Sequence, residues 1–343
     1  MTSHHRTRKE CLAWFEAHPK AIAPRQDVVV DRFKPEDAEG VARLYHAVYG
    51  DAFPIEYVYD PARIQEANLG PDLHQIVART QAGDVVGLSA LFRVAPGKGI
   101  LESGALMILP EYRLGTLIFR LIDLTQKMAE DELQLNAVFG QSVTDHLTTQ
   151  KINRTYGFQP FAFEIESMPP RPDGDGARIS LLDEFRVLRD SPHDVYLPHA
   201  YASFLRDIYA ERGLERSFRA GTGQRGETVW ETQSMGAASL AKVMVTEVGA
   251  DFPKVLQGLE TAHPGCHAYQ LQLPLWHPGL PWAVEEARER GYCLGGLLPL
   301  WADRDVLLMQ KVAGEPDFTV PRILTEQAKA LVACIRADRE SLK

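Results

Sequence analysis

Residues 108–121, ILPEYRLGTLIFRL, carry the most informative chemical signal in the chain. A strand-like run breaks at Pro110, and a strongly amphipathic helical pattern begins within about three residues. The backbone N–H groups of Arg113, Leu114, Gly115, Thr116 and Leu117 then point out of a helix N-terminus. No intrahelical carbonyl meets them there, and the helix dipole favours an anion such as a pyrophosphate. Arg113 adds a charge-assisted contact. The same residues also suit an ordinary strand-to-helix turn with Gly115 as a spacer. Just upstream, Glu102 interrupts the apolar run ILESGALMIL. A carboxylate held beside apolar neighbours has a raised pKa, which moves it toward proton-transfer duty near neutral pH; an alternating strand would instead turn it to solvent. A third group, the loop with Asp51, Phe53, Glu56, Tyr57, Tyr59 and Asp60, combines acids and aromatics that can hold a cationic amine or pack as a plain surface segment.

Three other patterns are decoys. GTGQRG at 221–226 fits Gly-x-Gly-x-x-Gly but precedes a strand-like run, whereas dinucleotide binding needs the motif between a strand and a helix. His263, Cys266, His267 and His277 lack zinc-ligand spacing, so no metal is expected. No Gly-x-Ser-x-Gly elbow surrounds Ser234 or Ser239.

The elements that must position these groups belong to a chain of 343 residues, long enough for about two domains. Apolar residues make up 45% and charged residues 24%, the balance of a globular protein. With 37 basic and 46 acidic side chains the formal charge is −9, which argues against nucleic acid and anionic membranes as partners. Four scattered cysteines without a Cys-x-x-Cys pair point to a reducing, cytoplasmic setting. No apolar run approaches the roughly 18 residues of a membrane helix.

Residues 8 to about 18 read as a short helix that packs Leu12, Trp14 and Phe15. VVVDRF (28–33) reads as a strand, followed by a helix opened by Pro35, Glu36 and Asp37. HQIVART, VVGLSALFRV and ILESGALMIL read as a three-strand meander, Arg113 to Asp131 as a helix, NAVFGQSV as a strand, HLTTQKINRTYGF as a helix ending at Gly157, and FAFEIES as a last strand. The Pro- and Gly-rich stretch MPPRPDGDGARIS (168–180) reads as a linker. Beyond it, ETVWETQ, SLAKVMVTEV, AYQLQLPLW, CLGGLLPL and VLLMQKV read as strands and PKVLQGLETA and LPWAVEEARERGY as helices. The expected division is therefore an N-terminal helical extension over 1–26, a first domain over 27–168, a linker over 169–192 and a second domain over 193–343. The expected class is an α/β sandwich on a mixed sheet, with the second half a decayed copy of the first.

Over roughly residues 28–166 the chain resembles the GNAT superfamily of acyl-CoA-dependent N-acyltransferases. The resemblance rests on the opening strand followed by PEDAEGVARLY, the meander with DVVG, the LPEYR approach to the long helix, and SVTDHLTTQKINRTYGF. VYGDAFPIEYVYDPARI and the Val-Thr…His…Thr-Gln-Lys run are similar to a bacterial branch of that superfamily, and GYCLGGLLPLWADRDVLLMQKV is similar to a GNAT-like companion domain found there. The resemblance implies acetyl-CoA or another acyl-CoA as co-substrate, with its pyrophosphate on Arg113, Leu114, Gly115, Thr116, Leu117 and Ile118. Backbone N–H groups at Leu106, Met107 and Ile108 would polarise the thioester carbonyl, and Glu102 would act through water on an acceptor amine held by Asp51, Phe53, Glu56 and Tyr57. The chain departs from the pattern twice. Members usually carry Arg-Gly-x-Gly-x-Gly, where this chain keeps a single glycine, and many place a tyrosine as general acid where this chain has Asn153. The acid role would pass to Tyr156, His146 or water.

The implied activity is acyl transfer to a primary amine, small or peptide-borne, by direct attack in a ternary complex, from a chain that can form a homodimer. The alternative is a non-catalytic acyl-CoA-binding or scaffolding protein.

Overall fold

The structure, a computed structural model, describes residues 5–113, 115–171, 176–222 and 226–342. It falls into two compact units, residues 1–94 with 101–135, and residues 95–100 with 136–343.

In the first unit a mixed α/β arrangement forms around the sheet β1-β2-β3-β4, all antiparallel, with β1 Val28–Arg32, β2 Leu73–Thr80, β3 Val85–Phe92 and β4 Ile100–Ile108. The expected meander is present. Helix α1 (Arg8–Ala17) starts at a capping box made by Thr7 and Glu10 and buries Cys11 and Phe15. After a single 3₁₀ turn at Pro35–Asp37, α2 (Ala38–Tyr49) buries Val41, Ala42, Leu44 and Tyr45 at helical spacing. A further helix that the periodicity did not reveal, α3 (Pro61–Leu69), is capped by the Asp60 carboxylate on the Ala62 N–H. Helix α4 (Leu117–Lys127) buries Leu117, Leu121, Ile122 and Thr125 and continues into one π-turn at Met128–Glu132. Both α2 and α4 pack on β3, which is buried along nearly its whole length. Its sequence VVGLSALF therefore reads as an apolar run rather than an alternation.

The second unit contains a repeat. Strand β5 (Ala137–Val143), helix α5 (Thr148–Thr155), and strands β6 (Gln159–Met168) and β7 (Ile179–Val187) are laid down in the order β5-β7-β6, each pair antiparallel. Strand β12 (Ala268–Pro274), helix α8 (Leu280–Glu289), and strands β13 (Cys293–Leu298) and β14 (Val306–Val312) follow the same path in the order β12-β14-β13. A left-handed glycine ends each helix segment, Gly157 and Gly291, and each third strand slips register at the same place, Pro160/Ala162 and Leu294/Gly296. The two copies join where β6 pairs antiparallel with β13 through Ala162 and Gly296, residues that occupy the same position in each copy. This contact relates the copies by a local pseudo-two-fold. Strand β11 (Leu240–Glu247) is parallel to β12 through the crossover helix α7 (Phe252–Ala262), β10 (Val229–Met235) lies on the outer edge, and α9 (Glu326–Glu340) packs on both β6 and β13. Strands β8 (His193–Tyr196) and β9 (Arg216–Arg219) with α6 (Ala202–Arg212) fill the part of this half that the sequence left unplaced.

The observed division differs from the expected one. Residues 169–192, expected to be a linker, contain β7, which bonds to β5 on one side and β6 on the other. The Pro- and Gly-rich stretch is a connection between β6 and β7, and its residues 172–175 lie outside the described residues. Because β6 pairs with β13, the strands 137–187 belong with the C-terminal half.

Gly296 has φ +133°, and a Cβ there would lie 2.4 Å from the Phe161 carbonyl oxygen and 2.5 Å from the Ala162 Cα. Gly296→Ala is therefore expected to cost about 2 kcal/mol or more. Gly258→Ala in α7, where a Cβ meets open space, is expected to be neutral or mildly stabilising. Thermal unfolding of both variants checks this: a Gly296→Ala protein melting with the wild type would show that the copies do not depend on this close approach.

Candidate active site

Strand β4 does not run straight. Between the pairs Leu88–Met107 and Ala90–Gly104 the two residues Ala105 and Leu106 face the single Ser89, and Ala105 is left-handed at φ +50°. Such a bulge takes backbone groups out of the ladder and re-aims the strand. Of the three expected carbonyl-polarising residues, Leu106 lies in the bulge and is half-buried, whereas Met107 and Ile108 are back in register with Leu88 and Gly87 and are buried. Glu102 lies on the same strand, half-buried and facing Phe92.

The helix expected from Arg113 begins four residues later. Pro110–Tyr112 makes a lone 3₁₀ turn, the Arg113 N–H returns to the Pro110 carbonyl at 3.3 Å, and the Arg113 Nε donates to the Ile108 carbonyl at 3.0 Å. Gly115 at φ +102° then reverses the chain, so the first helical residue is Leu117. Thr116 occupies the cap position without a side-chain capping bond. The N–H groups of the first turn, Leu117 and Ile118 among them, are left without the usual side-chain acceptor. A Cβ at Gly115 would meet nothing within 4 Å, so the approach to this helix end is open. Leu114 lies outside the described residues.

In the second unit the turn before α7 is built differently. Before α7, Asp251 holds the cap position and its Oδ1 accepts from the Thr228 N–H at 2.7 Å and the Thr228 hydroxyl at 2.8 Å. A carboxylate already stands at that helix start, where it would repel an anion.

In the second unit the structure brings Asn153 of α5 to two residues the sequence reading did not single out. Its Nδ2 donates to Glu184 Oε2 at 2.8 Å and to Ser142 Oγ at 3.2 Å, and the Ser142 hydroxyl donates to the same Glu184 oxygen at 2.5 Å. Glu184 on β7 and Ser142 on β5 are buried, and Asn153 is half-buried. Burial pushes the Glu184 carboxyl up to about 7, against the two hydrogen bonds, which pull it down. His146 does not join them. It is half-buried before the start of α5, where its Nδ1 accepts from the Thr148 N–H at 3.3 Å. Tyr156 is half-buried at the α5 C-cap, its N–H returning to the Asn153 carbonyl at 3.1 Å. Glu184 was legible only as a charge in the run SLLDEFRV, inside the stretch read as a linker.

The acid and aromatic loop does hold a cation, and that cation is the chain's own Arg8. Its Nη1 donates to the Asp51 carbonyl at 2.9 Å and its Nη2 to the Phe53 carbonyl at 2.5 Å, and its guanidinium lies 4.9 Å from the Tyr59 ring centroid. The Glu56 carboxylate is 3.9 Å from Arg8 Nε, Phe53 packs 4.9 Å from both Tyr45 and Tyr49, and burial raises the pKa of Tyr57. Of the decoy cluster, His267 pairs with Glu166 at 2.7 Å and His277 with Glu247 at 3.1 Å. Among the described residues no group of three or more His, Cys, Asp or Glu could hold a metal ion, and no helix is long and apolar enough to cross a membrane.

No protein-family model and no curated protein matches the chain. Among solved structures it is similar to the spermidine/spermine N-acetyltransferase SpeG of Vibrio cholerae, at 13% identity over 47% of this chain and 92% of that one, with a TM-score of 0.39. It is similar also to a GNAT-family acetyltransferase of Streptococcus pneumoniae, at 12% identity over 47% and 99% with a TM-score of 0.40, and to one of Staphylococcus aureus, at 14% over 48% and 100% with a TM-score of 0.36. Each spans under half of the present chain, and none is near enough to carry an activity across to it.

Because the folded Glu184 carboxyl titrates above its ordinary value, the folded state keeps a proton that the unfolded chain releases between about pH 4.5 and 7. Its contribution to stability is full below that window and is lost as pH rises through it. Glu184→Gln keeps an oxygen to accept both hydrogen bonds but cannot ionise. The melting temperature of the variant minus that of wild type should therefore grow from pH 5 to pH 8, and a constant difference would show that Glu184 is ionised throughout.

Proposed function

We propose that the chain is an acyl-CoA-dependent N-acyltransferase that passes an acyl group, acetyl in the simplest case, to a primary amine by direct attack. The observation that carries this reading is the sequence of devices from β4 to α4: a bulge that frees backbone groups, an arginine, a left-handed glycine and an uncapped helix N-terminus open to solvent. These residues fit an acyl-CoA substrate. The first-turn N–H groups at Leu117 and Ile118, with Thr116, Gly115 and Arg113 beside them, would hold the diphosphate, since an anion there meets both unpaired donors and the positive end of the helix dipole.

An N–H freed at the bulge near Leu106 suits the carbonyl oxygen on which negative charge develops during acyl transfer. The amine must lose a proton before or as it attacks, because free alkylamines have pKa values near 10. Glu102, half-buried on the same strand, is the carboxylate that would relay this proton through water. The acceptor is a small molecule or an amine on a peptide, and the protein works in the cytoplasm, alone or as a homodimer. With the Asp51 and Phe53 carbonyls committed to Arg8, the acceptor would use the outer side of that loop, where Glu56 is exposed.

One observation favours non-catalytic acyl-CoA binding instead: the Asn153 amide donates hydrogen bonds but supplies no acid proton. Mixing the protein with acetyl-CoA and a panel of amines while following thiol release separates the two. Release with at least one amine is expected, and cofactor-induced thermal stabilisation without release for any amine would leave only the binding role. Glu102→Gln should lower turnover by about 100-fold at neutral pH without changing CoA affinity by calorimetry. An unchanged rate from pH 6 to 9 would remove Glu102 from the mechanism.

A further inference from the structure

We propose that strand β10 is the docking edge for a second copy of this chain, the two β10 strands pairing antiparallel about a two-fold axis at Thr232. Strand β10 lies at the outer edge of the sheet in the second unit, bonded to β11 on its inner side. All seven of its residues, VWETQSM, are exposed. An antiparallel edge strand ordinarily turns one face to a core, and β11 does so through Leu240, Ala241, Val243 and Val245. Strand β10 covers neither face, and Val229, Trp230 and Met235 stay open to water at 53%, 36% and 38% exposure. Three large apolar side chains within one short strand form a patch of the kind that marks an association surface.

The backbone of an open edge presents a row of N–H and C=O groups ready to pair with another chain, and proteins blunt such edges with lysine, proline or other charged side chains. Strand β1, the edge strand of the first unit, is blunted in this way. It carries Asp31 and Arg32, and Arg120 and Arg79 donate to its Val28 and Arg32 carbonyls at 3.1 and 2.6 Å. Strand β10 contains neither lysine nor proline, and Glu231 is its single charge.

The sequence of β10 fits a second copy of itself. In an antiparallel pair, opposite residues are both hydrogen-bonded or both not, so the axis relating two identical strands falls on a residue. An axis at Glu231 would set two carboxylates face to face. An axis at Gln233 would leave Val229 and Trp230 without partners inside the strand. The axis at Thr232 pairs all seven residues: Val229 with Met235, Trp230 with Ser234 and Glu231 with Gln233, each twice, and Thr232 with its own copy. Both apolar ends then meet apolar partners, and each carboxylate faces a neutral amide. The result is an isologous join, of the kind the chain already makes internally where the equivalent residues Ala162 and Gly296 face one another. The pairing involves the second unit alone and stands whether or not the first unit transfers an acyl group.

A pair of seven-residue strands is small beside a standard interface, so the association is weak and is read by sedimentation equilibrium of the full chain from about 1 to 100 µM. Wild type should pass from monomer to dimer across this range. Gln233→Lys opposes an ammonium to Glu231 twice and should tighten the dimer about tenfold, whereas Gln233→Glu opposes a second carboxylate to it twice and should weaken the dimer about tenfold. Both effects should shrink at about 500 mM salt. Gln257→Lys and Gln257→Glu, at an exposed position of α7, change the net charge by the same amounts and should leave the dimer unchanged. Gln233 is exposed, so its variants should melt with the wild type. A chain that stays monomeric up to the highest concentration overturns the proposal. A dimer indifferent to the sign of the charge introduced at Gln233, or one that responds equally to the Gln257 variants, places the association elsewhere and overturns it as well.

Discussion

Two backbones meet at Ala162 and Gly296 with no space for a second Cβ, and the architecture of the C-terminal unit follows from that contact. Each of these residues sits five positions after a left-handed glycine that ends a helix segment, and each follows a slip in strand register. Placing equivalent residues opposite one another in an antiparallel pair makes the join self-complementary, as in a two-fold dimer interface contained within one chain. Helix α9 then covers both strands of the join, and Arg322 and Leu324, just before it, bond to Thr144 and Gln150 of the first copy.

The groups available for chemistry are those that regular structure leaves unsatisfied. A strand that stays in register uses up its N–H groups, and a capped helix uses up its first turn. In the first unit the ladder is interrupted by a bulge at Ala105 and α4 starts at Thr116 without a side-chain cap, on either side of a short turn. Before α7 the Asp251 carboxylate is taken up by the Thr228 N–H and hydroxyl. Neither α4 nor α7 has a side-chain capping bond at its start; the two differ in that a carboxylate, Asp251 tied to Thr228, stands at the start of α7. Glu184 follows the same logic in reverse. It is an acceptor brought into the interior with two neutral donors and no cation, which leaves a proton where a salt bridge would have left a charge.

Much of this was legible along the chain because it depends on short-range periodicity. VVVDRF, HQIVART, NAVFGQSV and VLLMQKV are strands, and the apolar spacing from Leu117 to Met128 is a buried helix face. What was misplaced depends on partners distant in sequence. Strand β7 was hidden because the Pro- and Gly-rich segment before it reads alike as a domain linker or as a connection between paired strands. Only its bonds to β5 and β6 distinguish the two. The start of α4 was placed four residues early because Arg113 is tied to the Ile108 carbonyl and the left-handed Gly115 precedes the helix.

The amino-acid sequence by itself determined the mixed α/β order of elements, the break of the strand at Pro110 ahead of an amphipathic helix, and the absence of a tyrosine at Asn153. These are properties of neighbours along the chain, where turn residues and side-chain periodicity act directly on the backbone. Tertiary structure alone decided that Arg8 is the cation in the Asp51–Tyr59 loop and that Glu184 and Ser142 meet Asn153. Each depends on which distant donors and acceptors burial forces into contact, and the cost of leaving such groups unpaired is settled only when the strands and helices that carry them pack.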